Sequence, residues 1–308
     1  MTTTTPDADP VVDRKGQEIA PQRRMGFGRW FAELGVRHVV GIVFVVYAAF
    51  PIVYVLSASL AGQGATLTGS NSLFTSLDVG SYAQLSDTTL FWTWFRNTMF
   101  VGLSTAIGTV IMAAAAAYAF SRFRFRGHGF GLNTLLVLQM FPQLLAFVAV
   151  FLLLLSLGEV VPALGLNSRV GLICVYLGGA LGTNTFLMYG FFNTIPKELD
   201  EAAKIDGASH ARIYWTIILR MVSPVLAVVG LLSFVATFSD FVIARVVLQS
   251  EQNWTLALGL YGLVSSLTNQ NWGVFAAGAV ISAVPVLLLF LFLQRYIVGG
   301  LTAGSVKG

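Results

Sequence analysis

Charge is scarce in this sequence, and so are the residues that bring metals or covalent chemistry to a site. Only 10 % of its 308 residues are Asp, Glu, Lys or Arg, against 56 % hydrophobic, and the mean hydropathy is +0.77. A soluble domain of this composition would expose too much apolar surface to stay dispersed, so composition points to a polytopic membrane protein, and its long apolar runs make it all-α. The one cysteine, Cys174, lies inside an apolar run, which excludes a disulfide framework within the chain and says nothing about redox compartment. His38, His128 and His210 stand far apart at run ends or in loops, without metal-ligand spacing. No GxxxxGK[ST] phosphate loop occurs, so the chain brings no nucleotide-hydrolysing loop of its own. No catalytic residue, metal ligand or cofactor is assigned.

What is present is a series of six apolar runs, approximately 39–60, 97–120, 131–157, 170–192, 222–247 and 273–298. Each is near or above the roughly 20 residues needed to cross a hydrocarbon core of about 30 Å. The first run is too long for a signal-peptide core and is preceded by a long polar segment, so it is expected to remain as a span. The net charge of +4 is spread over the ends of the runs rather than along one polar face, which argues topology and against nucleic-acid binding. Fifteen Lys and Arg fall on the side holding both termini and residues 121–130 and 193–221; the other side holds Arg96, Arg169 and Arg245. The positive-inside rule therefore places both termini in the cytoplasm.

Three domains follow: an N-terminal region 1–38, a six-span body 39–298 and a C-terminal tail 299–308. Residues 1–24 are too polar to offset their ordering entropy and read as a mobile tail. Residues 26–37 suit either an interfacial amphipathic helix or a helical extension of the first span. The external connection 61–96 includes a patch, 76–85, suited to a small packed element. The external connection 248–272 mixes Trp254, Leu256, Leu258, Leu260 and Tyr261 with a polar tip, Ser265, Ser266, Leu267, Thr268, Asn269 and Gln270. That pattern fits a contact with a soluble partner or a packed re-entrant segment.

The longest polar interval in the second half of the chain is 193–221. Pro196 suits the opening of a helix, Glu198, Asp200 and Glu201 place negative charge in its early turns, and Gly207 can close it. Spacings of three and four put Leu199, Ala202, Ala203 and Asp206 on one face, a small-residue knob flanked by carboxylates. Ser209 is a cap for a second helix running from His210 to about Met221. On residues alone, docking onto a partner and an ordinary loop between spans both remain open. A carboxylate within a span is costly, so Asp240 is expected to face a solute path or gate, or to bond a partner chain.

Glu201-Ala-Ala followed by Asp206-Gly207-Ala208 resembles the EAA loop of permease subunits of ATP-binding-cassette importers. Asn97-Thr98, Ala117-Tyr-Ala-Phe-Ser-Arg122, Gln139-Met-Phe-Pro142 and the tail 301–308 extend the resemblance, in order, to the MalG-type permeases of maltose and maltodextrin uptake. The resemblance implies an inner-membrane, binding-protein-dependent sugar permease. Its implied partners are a second homologous permease, an ATPase dimer carrying ATP and Mg, and an extracytoplasmic sugar-binding protein. It implies that Glu198, Asp200, Glu201, Ala202, Ala203, Asp206 and Gly207 form the coupling helix for the ATPase. It also implies that Gly304, Ser305, Val306, Lys307 and Gly308 reach the ATPase, and that residues 265–270 touch the binding protein. One departure is Arg220, which stands where the family has proline, so the second helix is expected to run further. Two alternatives stay open: an ion-coupled secondary sugar transporter, for which Asp240 is the chief intramembrane carboxylate, and a permease of the same family for trehalose or another oligosaccharide.

Overall fold

The computed structural model describes residues 31, 35–61, 73–74, 76–141, 143–265 and 271–304. The N-terminal tail, most of the segment 26–37, the loop residues 266–270 and the tail residues 305–308 lie outside the described residues. The described chain is helical, with no strand among the described residues beyond an isolated bridge between Ala61 and Asp78.

Two units divide the chain, Met1–Tyr54 and Val55–Gly308. The first holds most of α1 (Val36–Ser59), whose Ile42, Val43, Phe44, Val45, Val46 and Tyr47 are all exposed. A helix apolar on every side is at home only in lipid or against another chain.

The second unit is built on α3 (Phe91–Arg122), which follows α2 (Gly80–Thr88). Its 32 residues make it roughly 48 Å long at about 1.5 Å per residue. Buried Trp94, Thr98, Val101, Thr105, Thr109, Ala113 and Ala117 recur every three or four positions, which places them on one stripe. The small residues of that stripe let α6 (Arg169–Phe192) and α9 (Ser223–Ser239) pack closely along it. α12 (Trp272–Gly304) packs against α9 and α2.

Two expected spans are interrupted. The run 131–157 is divided into α4 (His128–Gln139), a tight turn at Gln143–Ala146 and α5 (Phe147–Val160). In the sequence Pro142 falls between α4 and α5, and a proline has no N–H to give a continuing helix. The run 222–247 is divided into α9 and α10 (Val242–Val247), with Asp240 extended between them. By length and composition four described helices can cross a membrane, or five if the bent pair ending in α9 counts as one span.

The ends of α3 carry separate cores. At its start, Phe91 and Trp94 pack with Leu85, Leu256, Leu260, Val274 and Ala277. Here α11 (Leu256–Val264) comes so close that a Cβ on Gly259 would lie 2.1 Å from the Trp94 indole. The Asn97-Thr98 pair locks this approach: the Asn97 amide donates to Gln252 O at 2.8 Å and Trp254 O at 3.0 Å, and Thr98 Oγ1 accepts from Leu256 N at 2.7 Å. At the other end, Ala113, Ala117 and Tyr118 pack with Met188, Phe192, Ile195, Ala203, Ile213 and Ile218.

Candidate functional site

The polar segment 193–221 folds as its local signals direct. α7 (Glu198–Ile205) has Glu198, Asp200 and Glu201 in its first turn and Lys204 in its last, each favourable to the helix dipole. It closes on Gly207, whose φ of +79° is costly for residues with a Cβ. Ala208 N donates to Ala203 O and Gly207 N to Lys204 O, both at 2.9 Å, which satisfies two terminal carbonyls. Ser209 then caps α8 (His210–Met221), accepting from Arg212 N at 3.3 Å.

α8 contains a widened turn at Tyr214–Ile218 and ends at Met221, after which the chain bends 78° into α9. The second helix thus ends at Met221, as its sequence pattern predicts, with Arg220 exposed in the last turn of α8 and Pro224 in the first turn of α9, where its missing N–H costs nothing.

The faces of α7 differ from the expected arrangement in one respect. Ala203 does not share the outward face; it is buried against the chain's own core, as is Asp200. Leu199, Ala202 and Asp206 are exposed with Glu198 and Glu201, and Ile205 is 86 % exposed. Spacing groups residues on a face but does not say which face turns inward, and Asp200 on the inward side meets a residue 78 positions away. Arg122, at the end of α3, forms an ion pair through Nε with Asp200 Oδ2, and the two side chains are 4 % and 8 % exposed. Its Nη2 also donates to Ile195 O at 3.0 Å. In sequence Arg122 is legible as the end of the Ala117–Arg122 motif and as one of the cations of residues 121–130, but not as the partner of Asp200. Tyr118 and Phe123 extend the contact, with rings 5.0 Å from Tyr214 and from His210 respectively.

The second polar centre lies midway along α3. Asp240 Oδ1 accepts from Tyr176 Oη at 2.8 Å and from Ala244 N at 3.1 Å, so its bonds are made within its own chain. Asp240 also lines a cavity of about 710 Å³ together with Thr105, Gln139, Thr183, Asn184 and Thr237. Thr183 Oγ1 donates to Gln139 Oε1 at 2.6 Å, and Asn184 Nδ2 to Ala180 O at 2.7 Å. Thr105 Oγ1 is buried without a hydrogen-bond partner among the described residues. Among the described residues no Lys, Arg or His lines the cavity.

Of the remaining expected site residues, Ser265 is exposed at the end of α11 and Gly304 closes α12. Neither is brought near α7 or Asp240 by any described contact.

Residues 107–302 match the family model described as binding-protein-dependent transport system inner membrane component. The galactooligosaccharides transport system permease protein GanQ of Bacillus subtilis is 37 % identical over 90 % of this chain and 99 % of its own. The maltose/maltodextrin transport system permease protein MalG of Escherichia coli is 37 % identical over 90 % of this chain and 97 % of its own. Among solved structures, a chain of a bacterial ABC transporter involved in import of the acidic polysaccharide alginate superimposes with a TM-score of 0.72 at 26 % identity. The match covers 89 % of this chain and 99 % of that one.

Proposed function

We propose a sugar-import role from the premise that this chain belongs to the family of binding-protein-dependent transport system inner membrane components. It is a transport subunit rather than an enzyme, resident in the inner membrane. It pairs with a second homologous permease and with an ATPase dimer that holds ATP and Mg, and it receives solute from an extracytoplasmic binding protein. The observation that carries this reading is α7, an acidic helix that leaves Ala202 and Ile205 bare in a chain homologous to sugar permeases over 90 % of its length.

The coupling surface is Glu198, Glu201, Ala202, Asp206 and Gly207 together with Leu199 and Ile205, while Asp200 and Ala203 support it from within. ATPase closure pulls on α7, and α8 carries the movement into α9 through its bend. The tail 304–308 reaches the ATPase, residues 265–270 touch the binding protein, and both termini are cytoplasmic. Asp240 lines the solute path. Among the described residues the cavity beside it offers hydroxyls, amides and one carboxylate without a cation, which suits an uncharged oligosaccharide of the maltose type better than an acidic one. Trehalose and other oligosaccharides remain members of the same class.

Reconstituted vesicles containing both permeases, the ATPase and the binding protein are the test. Uptake of labelled maltotriose is expected to require ATP and the binding protein. Uptake that persists without ATP and collapses with an ion gradient would overturn the proposal in favour of ion-coupled transport.

A further inference from the structure

We infer that Arg122 is a positioning residue that sets the rotation of α7, and so decides which of its faces is offered to the ATPase; the second clause rests on the coupling role proposed above. Arg122 holds the helix at two points on either side of Pro196. Its Nη2 binds Ile195 O before the helix begins, and its Nε pairs with Asp200 in the first turn. One contact would fix position only; two, on opposite sides of the helix start, also fix rotation about the axis. With about 3.6 residues per turn, holding Asp200 inward places Glu198, Ala202 and Ile205 on the far side, as their exposure shows.

The pair is poorly made for stability. Arg122 Nε and Nη1 and Asp200 Oδ1 are buried without hydrogen-bond partners among the described residues, so Nε holds Asp200 as an ion pair, and a buried ion pair that is only partly satisfied gains little over apolar packing. Arg122 ends α3 and Asp200 begins α7, so each charge also complements the dipole of its own helix. The arrangement favours one orientation of a short helix whose own apolar contact with the core is chiefly Ala203. An eight-residue helix with so little burial does not hold its rotation by packing alone.

The test compares maleimide labelling rates in the full-length chain, solubilised in detergent with Cys174→Ser, for single cysteines at Ala203 and at Ile205. With Arg122 and Asp200 intact, Ile205→Cys is expected to react at least about tenfold faster than Ala203→Cys, reflecting local protection. In Arg122→Leu/Asp200→Leu the ratio is expected to fall below about threefold. Should that pair fail to accumulate, Arg122→Lys keeps the charge but loses the two-point grip, and the ratio is again expected to fall. An unchanged ratio in whichever variant accumulates overturns the inference. Transported solute per ATP is then measured for the same variant in the reconstituted complex. A collapsed ratio with fewer solutes per ATP supports both statements; a collapsed ratio with unchanged solutes per ATP supports the rotational role and overturns the coupling role.

Discussion

Asp200 and Asp240 are two carboxylates in a chain with few charges, and they are handled in different ways. Asp200 lies where the bundle ends, is matched by a guanidinium and is buried. Asp240 lies at a break between α9 and α10, is held by a tyrosine hydroxyl and a backbone N–H, and opens onto a cavity. A countercharge fixes geometry at the cost of desolvating two ions. Neutral donors leave the negative charge uncancelled and available to whatever enters the cavity. The first arrangement suits a part that must keep its shape, and the second suits a part that meets a solute.

The largest expected effect comes from breaking the first arrangement on one side. Asp200→Leu alone leaves Arg122 buried without its counterion and is expected to cost about 3–5 kcal/mol, read as loss of monodisperse protein and a lower unfolding temperature in detergent. Arg122→Leu/Asp200→Leu is expected to recover most of that stability, which separates the pair's role in position from any role in folding. Asp240→Leu removes two hydrogen bonds but also the desolvation cost of the carboxylate and leaves no unpaired ion behind, so it is expected to cost less, about 1.5–3 kcal/mol net. Its uptake is expected to fall by more than its assembly with the ATPase. Uptake and assembly falling in equal proportion would make Asp240 a structural residue like Asp200 and erase the contrast. Smaller still, Gly207→Ala meets no atom within 4 Å, so only its left-handed backbone opposes it. About 1–2 kcal/mol is expected, measurable as a reduced unfolding temperature.

Local chemistry made α7 and α8 legible in sequence. Charge in the first turn, Gly207 and Ser209 each act within a few residues of themselves, and the structure shows each in the expected role. Hydropathy could not locate the interruptions of the third and fifth apolar runs, because averaging over a span hides one proline or one aspartate. Pro142 and Asp240 were visible as oddities, yet neither reveals from sequence that the helix stops there. The inward turn of Ala203 was beyond pattern reading, since a spacing of three or four defines a face and not its direction. The contacts on the inward side, the Arg122–Asp200 pair among them, join residues distant in sequence. The Asn97-Thr98 pair is a similar case: the motif was visible, but its bonds to the 252–256 segment belong to tertiary structure.

The most direct measurement of the central claim uses Ile205→Asp, which places a charge on the exposed face of α7 without touching the buried side. Solute-stimulated ATP hydrolysis and maltotriose uptake, assayed in the same vesicles, are expected to fall together by about tenfold or more, since a desolvated unpaired charge in an interface costs several kcal/mol, while the chain itself remains folded. Wild-type values of both in vesicles carrying Ile205→Asp would contradict the role of α7 as the lever between ATP and transport.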